Sequence, residues 1–274
     1  MFKKRGIYFY HLITGILICL YSIGVQNFCV AQEVAPKKLD VAFIYTSLDV
    51  TDQAMSALEY SGNYLGASAN YEVSSSKGLQ QNLRLGFGAG RLHNRDYETS
   101  LSGKSFSFGY SVLPVMYRHK NLRLLAGGVL DNYLAVRNHE QYINNNNYYE
   151  FTGSLTLAAK VVYQTGETLA GKKRGYIIQS AFLCPVLTAL SRSASVYNAV
   201  SDVQSPTFST YIKNINLVSF NRYRKFGWHT EISRQLFKNT GFALSYQWDY
   251  YRIIEPNEVQ SISHTVALKY FWYL

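Results

Sequence analysis

The chain has 274 residues, of which 47% are apolar, 15% aromatic and only 16% charged, with a formal net charge of +10. A disordered chain would be rich in charge and poor in aromatics, and 24 tyrosines exclude that. After the N-terminus no apolar run approaches the roughly 18 residues that a transmembrane helix needs, and the mean hydropathy of −0.11 excludes a polytopic helix bundle.

The first 31 residues read as an address. Lys3, Lys4 and Arg5 make a basic start, and Leu12 to Val25 carries no charge. Cys29 and Ala31 then supply small residues two apart, which is the layout of a cleaved secretory signal peptide with Gln32 first in the mature chain. An uncharged stretch of 14 residues spans about 21 Å of helix, short of a bilayer core of about 30 Å. Removing residues 1–31 leaves 243 residues, takes off three cations so that +10 becomes +7, and leaves Cys184 as the single cysteine. An exported chain with one cysteine has no internal disulfide. The cations are scattered apart from Lys172, Lys173 and Arg174, and export argues against a nucleic-acid partner.

The mature chain alternates with period two. Phe106, Phe108, Tyr110 and Val112 alternate with Ser105, Ser107, Gly109 and Ser111. Leu155 and Leu157 alternate with Ser154 and Thr156, Leu244 with Ser245, and Leu268 with Lys269. Successive side chains of a strand point to opposite faces, so each segment has one apolar face and one small or polar face. A soluble sandwich alternates in the same way. The length of these segments, well beyond the usual five or six residues, and the tyrosines and tryptophans at their ends favour a transmembrane antiparallel up-and-down β-barrel. Phe106, Phe108, Leu155, Leu157, Leu244 and Leu268 are the expected lipid-facing positions. The chain ends on an aromatic strand, Tyr270 to Tyr273, followed by Leu274.

The segments fall at 58–72, 78–91, 103–118, 121–136, 148–164, 174–190, 210–223, 226–238, 240–253 and 259–274. Ten satisfies the even number of single-chain barrels. Residues 32–57 are left as a periplasmic lead-in or small plug before a barrel over 58–274, although 40–48 is itself strand-like, which makes twelve strands the alternative. This count puts the longest connection, 191–209, on the same side as the C-terminus, where turns are normally short.

Several phrases resemble an uncharacterised family of Bacteroidota outer-membrane barrels: Leu58-Glu59-Tyr60-Ser61-Gly62, Leu124-Leu125-Ala126-Gly127-Gly128, Cys184-Pro185 before a long connection, and the Ala31-Gln32 junction. The resemblance implies a barrel in the cell outer membrane. It brings no catalytic or binding residue with it.

Motifs for chemistry are missing: there is no G-x-S-x-G, H-E-x-x-H, cysteine pair, P-loop or EF-hand loop. No metal or cofactor is expected. His93, His119 and His139 fall at connections and read as solvated, and Gly86 to Gly90 reads as small residues within a strand. Inward parity collects Glu150, Lys160, His229, Glu231, Gln247, Asp249 and Lys269 as a polar lumen network, with Ser233 and Gln235 on the same face. Charges inside a narrow barrel must pair. A hairpin tip at Asn239 would set His229 opposite Asp249, Glu231 opposite Gln247 and Ser233 opposite Ser245. That makes His229, Asp249 and Ser233 the catalytic candidates if there is a hydrolase here, and a structural bridge otherwise.

The expectation is an outer-membrane barrel with a non-enzymatic role in transport, envelope structure or a membrane-protein complex. A hydrolase acting on lipid or peptide near the outer leaflet and a barrel docking a lipoprotein or surface partner are the alternatives. Outer-membrane lipid, and the barrel-assembly machinery through the C-terminal strand, are the expected partners, with any protein partner unknown.

Overall fold

The computed structural model describes residues 37–53, 56–75, 78–94, 96–139, 147–165, 168–169, 172–173, 175–192, 215–254 and 257–274. The expected signal peptide lies outside them. Ten long strands follow one another: β1 (Lys37–Asp52), β2 (Ser56–Ser74), β3 (Leu79–His93), β4 (Ser100–His119), β5 (Leu122–His139), β6 (Asn147–Gln164), β7 (Tyr176–Arg192), β8 (Tyr223–Gln235), β9 (Thr240–Ile253) and β10 (Val259–Tyr273). Each pairs antiparallel with its sequence neighbours, and β10 returns to β1 from Lys38↔Tyr273 to Asp52↔Val259. The sheet is therefore a closed up-and-down barrel. Closure leaves no open edge, the condition for a sheet to persist in hydrocarbon.

Two of the ten strands differ from the expected set. The stretch read as a lead-in or plug supplies β1, paired along its length with β2 as well as β10. Its alternation is masked in sequence because both faces are apolar toward its end: Val41, Phe43 and Tyr45 are exposed, while Leu48 and Val50 are buried inside. The described part of the segment expected at 210–223 and the segment expected at 226–238 lie along a single path, with 210–214 outside the described residues. Asn216–Val218 pairs with β7 at Leu190 to Thr188, residues 219–222 loop out, and β8 resumes the same ladder at Gly227↔Leu183. The turn is closed by the amides of Arg222 and Tyr223 donating to the Ser219 carbonyl.

These changes move the long connection. Lys37, Leu274 and the strand ends Ser74, Leu79, His119, Leu122, Gln164, Tyr176, Gln235 and Thr240 lie at one end of the barrel, the terminal end. The strand ends Asp52, Ser56, His93, Ser100, His139, Asn147, Arg192, Tyr223, Ile253 and Val259 lie at the other, distal end. The strand ends Arg192 and Tyr223, which the longest connection joins, are thus opposite the C-terminus, not beside it as the sequence count required.

The outer wall is apolar all the way round. Phe43 on β1 is 60% exposed and Leu157 on β6 is 61% exposed, and Leu65, Phe87, Phe106, Leu155, Leu244 and Leu268 are exposed as well. Phe108, on the same outer parity, is half-buried. Inside, small residues make room for large ones. A side chain at Gly90 or Gly103 would collide with the ring of Tyr64, which lies flat against β3 and β4. The Gly86 to Gly90 run thus serves close packing inside a strand.

Replacing Leu157 with Arg should cost about 2–4 kcal/mol in a bilayer, because the charge would sit in hydrocarbon. The same change at Ser107, which lines an interior cavity, should cost clearly less. Urea titration in liposomes measures both, and equal costs would contradict the two-faced wall.

Candidate functional site: the polar lumen

Strand pleating sends alternate side chains inward, and the inward set is crossed by ion pairs at three levels. At the distal end the ties span the ring. Arg192 on β7 meets Asp52 on β1 at 2.8 Å, and Arg137 on β5 meets Glu150 on β6 at 3.5 Å and Asp52 at 4.0 Å. The Tyr251 hydroxyl donates to Glu150 at 3.3 Å, and the Arg192 guanidinium donates to the Asn257 carbonyl at 2.9 Å. This group is buried: Arg137, Asp52 and Glu150 are each 1% exposed. It is embedded in an apolar cluster that includes Leu48, Val50, Tyr60, Leu92, Leu101, Tyr148, Val218 and Ile253. Together they form a plug made by the barrel's own side chains.

At mid-height Asp131 on β5 holds three strands together. Lys225 on β8 donates to it at 2.9 Å and Arg84 on β3 at 3.3 Å. Toward the terminal end Glu231 on β8 accepts from Lys269 on β10 at 2.6 Å and from Gln179 on β7 at 2.5 Å, with Lys38 on β1 at 3.8 Å. Lys160 on β6 reaches across to Gln80 on β3 at 3.1 Å. Such charges stay inside only because they are matched. The plug and the spaces beneath it are lined by seven cations (Lys38, Arg84, Arg137, Lys160, Arg192, Lys225 and Lys269) and by seven acids.

Below the plug lie two adjoining cavities of about 240 and 170 Å³. The lining of the first includes the small residues Gly86, Gly88, Ser105 and Ser107 of β3 and β4 and Ser245 and Ser261 of β9 and β10. Arg84, Asp131, Lys225, His229 and Asp249 line both. Each is large enough for several waters.

All seven residues expected in the lumen network line these cavities, and the six expected outward positions lie on the opposite face. The hairpin register differs. The β8–β9 turn is centred on Lys238, with the amides of Leu236 and Phe237 donating to the Thr240 carbonyl. The ladder therefore shifts by two: His229 faces Gln247, Asp249 faces Gly227, Glu231 faces Ser245, and Ser233 faces Ala243. Asp249 accepts from Gln247 at 2.6 Å, and the Ser233 hydroxyl donates to the Ile177 carbonyl. The three catalytic candidates thus share a wall without forming a nucleophile–base–carboxylate line. Stability losses on replacing His229 and Asp249 with Asn, singly and together, should add within about 0.5 kcal/mol. A larger coupling in liposome unfolding would restore the pair.

His93 and His119 are exposed, as expected, but His139 is not. It is buried, 3.0 Å from the Tyr60 hydroxyl. Among the described residues no three metal-ligating side chains converge. Sequence reasoning missed Asp52, Arg84, Asp131, Arg137, Arg192 and Lys225. Arg84 and Arg137 carried a usable signal, since they share parity with Asn82 and Gly86 and with Ala135 and His139.

No family profile and no characterised protein sequence matches the chain. Among solved structures, the outer membrane protease OmpT from Escherichia coli aligns over 87% of this chain and 97% of its own, at 7% identity and a TM-score of 0.48. The translocator domain of the autotransporter NalP from Neisseria meningitidis aligns over 98% of each chain, at 8% identity and a TM-score of 0.45. Neisserial surface protein A aligns over 86% of this chain and 97% of its own, at 10% identity and a TM-score of 0.32.

Proposed function

We propose that this chain is an exported outer-membrane barrel, freed of residues 1–31, that serves envelope structure or a membrane-protein complex and does not conduct solutes. The membrane reading is supported by the continuous apolar wall, far larger than the isolated patches a water-soluble monomer exposes. The observation that carries the non-conducting role is the distal plug, in which Arg137, Glu150, Asp52 and Arg192 bond across the ring inside an apolar cluster. An open porin keeps a water-filled path from end to end. Here Arg137 and Glu150 of the plug, each 1% exposed, bound the polar space at its distal side.

Planar-bilayer recording of the purified barrel tests this. Membrane insertion without discrete conductance steps is the expected result. Steady steps from wild-type protein would overturn the closed-barrel reading and return transport to the front.

A further inference from the structure

Outward parity on β8 runs Arg224, Phe226, Trp228, Thr230, Ile232, Arg234, while Tyr223 and Lys225 turn to the cavity below the plug. Trp228 is 54% and Ile232 47% exposed, so this is the outer face of the wall. Its two arginines stand ten residues apart, with no charge between them on that face. Ten residues rise about 33 Å along a strand, or about 25 Å along the axis of a barrel whose strands tilt by about 40°. That is the height of the apolar band of an outer-membrane barrel. Arg224 and Arg234 therefore mark its two edges, Arg224 the distal one.

At the distal edge the cations gather. Arg224 is directly opposed by Arg252 on β9, with Phe226 opposite Tyr250 and Trp228 opposite Trp248 on the terminal side of the pair. Like charges so placed repel, and an anion between them removes the repulsion. Among the described residues of β7, β8 and β9 no acid faces outward, since Glu231 and Asp249 line the cavities. Glu258, in the connection after β9, meets Arg252 at 2.6 Å. Arg224 has no acid partner among the described residues, and its Nε donates to the Phe220 carbonyl at 3.3 Å. That bond ties in the excursion at 219–222, whose four residues are exposed between buried Val218 and Tyr223. It brings Phe220, 42% exposed, and Arg222 to the same corner. An exposed phenyl ring and guanidinium groups next to two tryptophans have the composition of a bilayer interface, with the rings toward the acyl chains and the cations toward phosphate.

We propose that the distal outer edge of β8 and β9 binds the phosphate of an anionic lipid in the adjoining leaflet, with Arg224 and Arg252 as its cradle. Arg222 adds charge, Phe220 reaches into the acyl chains, and Trp228 and Trp248 lie against them below the headgroup. The inference rests on the membrane-barrel reading and adds the lipid class and the corner of the wall that selects it.

The test is native mass spectrometry of the folded barrel released from nanodiscs of equal phosphatidylglycerol and phosphatidylcholine. Wild type should retain phosphatidylglycerol in excess. The variant R224Q/R252Q should lose that excess by about tenfold at low salt, R224K/R252K should keep most of it, and R234Q, at the opposite edge, should keep all of it. Raising salt to about 1 M should release the lipid from wild type with no substitution, which guards against a misfolded variant. Equal retention of the two lipids by wild type overturns the inference. So does an excess that survives in R224Q/R252Q, whether or not R234Q removes it. Displacement by inorganic phosphate at matched ionic strength would make free phosphate the ligand and overturn the lipid assignment. A protein that enters discs of neither lipid overturns the membrane reading itself, and this inference with it.

Discussion

Removal of Tyr270 to Leu274 should abolish the folded, heat-modifiable species on a semi-native gel. The segment supplies the end of β10, whose residues pair with Thr240, Gly241 and Phe242 on one side and with Lys38, Leu39, Asp40 and Val41 on the other. Phe271 is buried, Lys38 lies 4.6 Å over its ring, and Tyr270 packs edge-on against Trp272 at 4.5 Å. Without this stretch β1 and β9 each present unpaired backbone groups near the terminal end, and each such group costs several kcal/mol in lipid. Losses of that size exceed the whole stability of an ordinary domain. A truncated chain that still migrates as a folded band would show that β1 and β9 can close the ring alone.

Replacing Arg137 with Met should destabilise the barrel by about 3–5 kcal/mol, because Glu150 would lose its buried counter-charge and Asp52 one of its two. Methionine keeps much of the volume and adds no cavity comparable to the charge effect. Replacing Arg137 and Glu150 together, with Met and Leu, should cost markedly less than the first change alone, since a buried pair removed as a unit leaves less charge stranded. Urea unfolding in liposomes measures both. Equal costs would mean that the pair is solvated and that the distal end is open.

Much of this was legible in the sequence where a strand has contrasting faces. Leu155 and Leu157 against Thr156, or Leu244 against Ser245, announce both strand and direction, because one side meets an apolar medium and the other a polar lumen. The reading failed where that contrast vanishes. On β1, Leu48 and Val50 point inward to an apolar plug, so the inner face is as greasy as the outer. Around residues 216–223 a four-residue excursion breaks the periodicity of one strand and imitates two. Register was a harder matter still. Centring a turn on Asn239 instead of Lys238 moves every opposed pair by two residues. Parity is conserved under that slip, so lumen membership was readable from sequence and partnership within the lumen was not. The cross-ring ties are the extreme case: no local pattern says that Asp52 meets Arg192, 140 residues away.

Those long-range ties also have a consequence in time. Asp52 reaches Arg192, and Lys38 reaches Glu231, only once β1 has been joined to β10 and the ring is complete. Bonds that appear after the decisive closing step cannot hasten assembly. They act on the reverse process, since they must be broken before the ring can reopen, and they lower the rate at which it does so. The lumen charges therefore work as a ratchet: they leave the chain's entry into its folded form unhurried and make its departure slow.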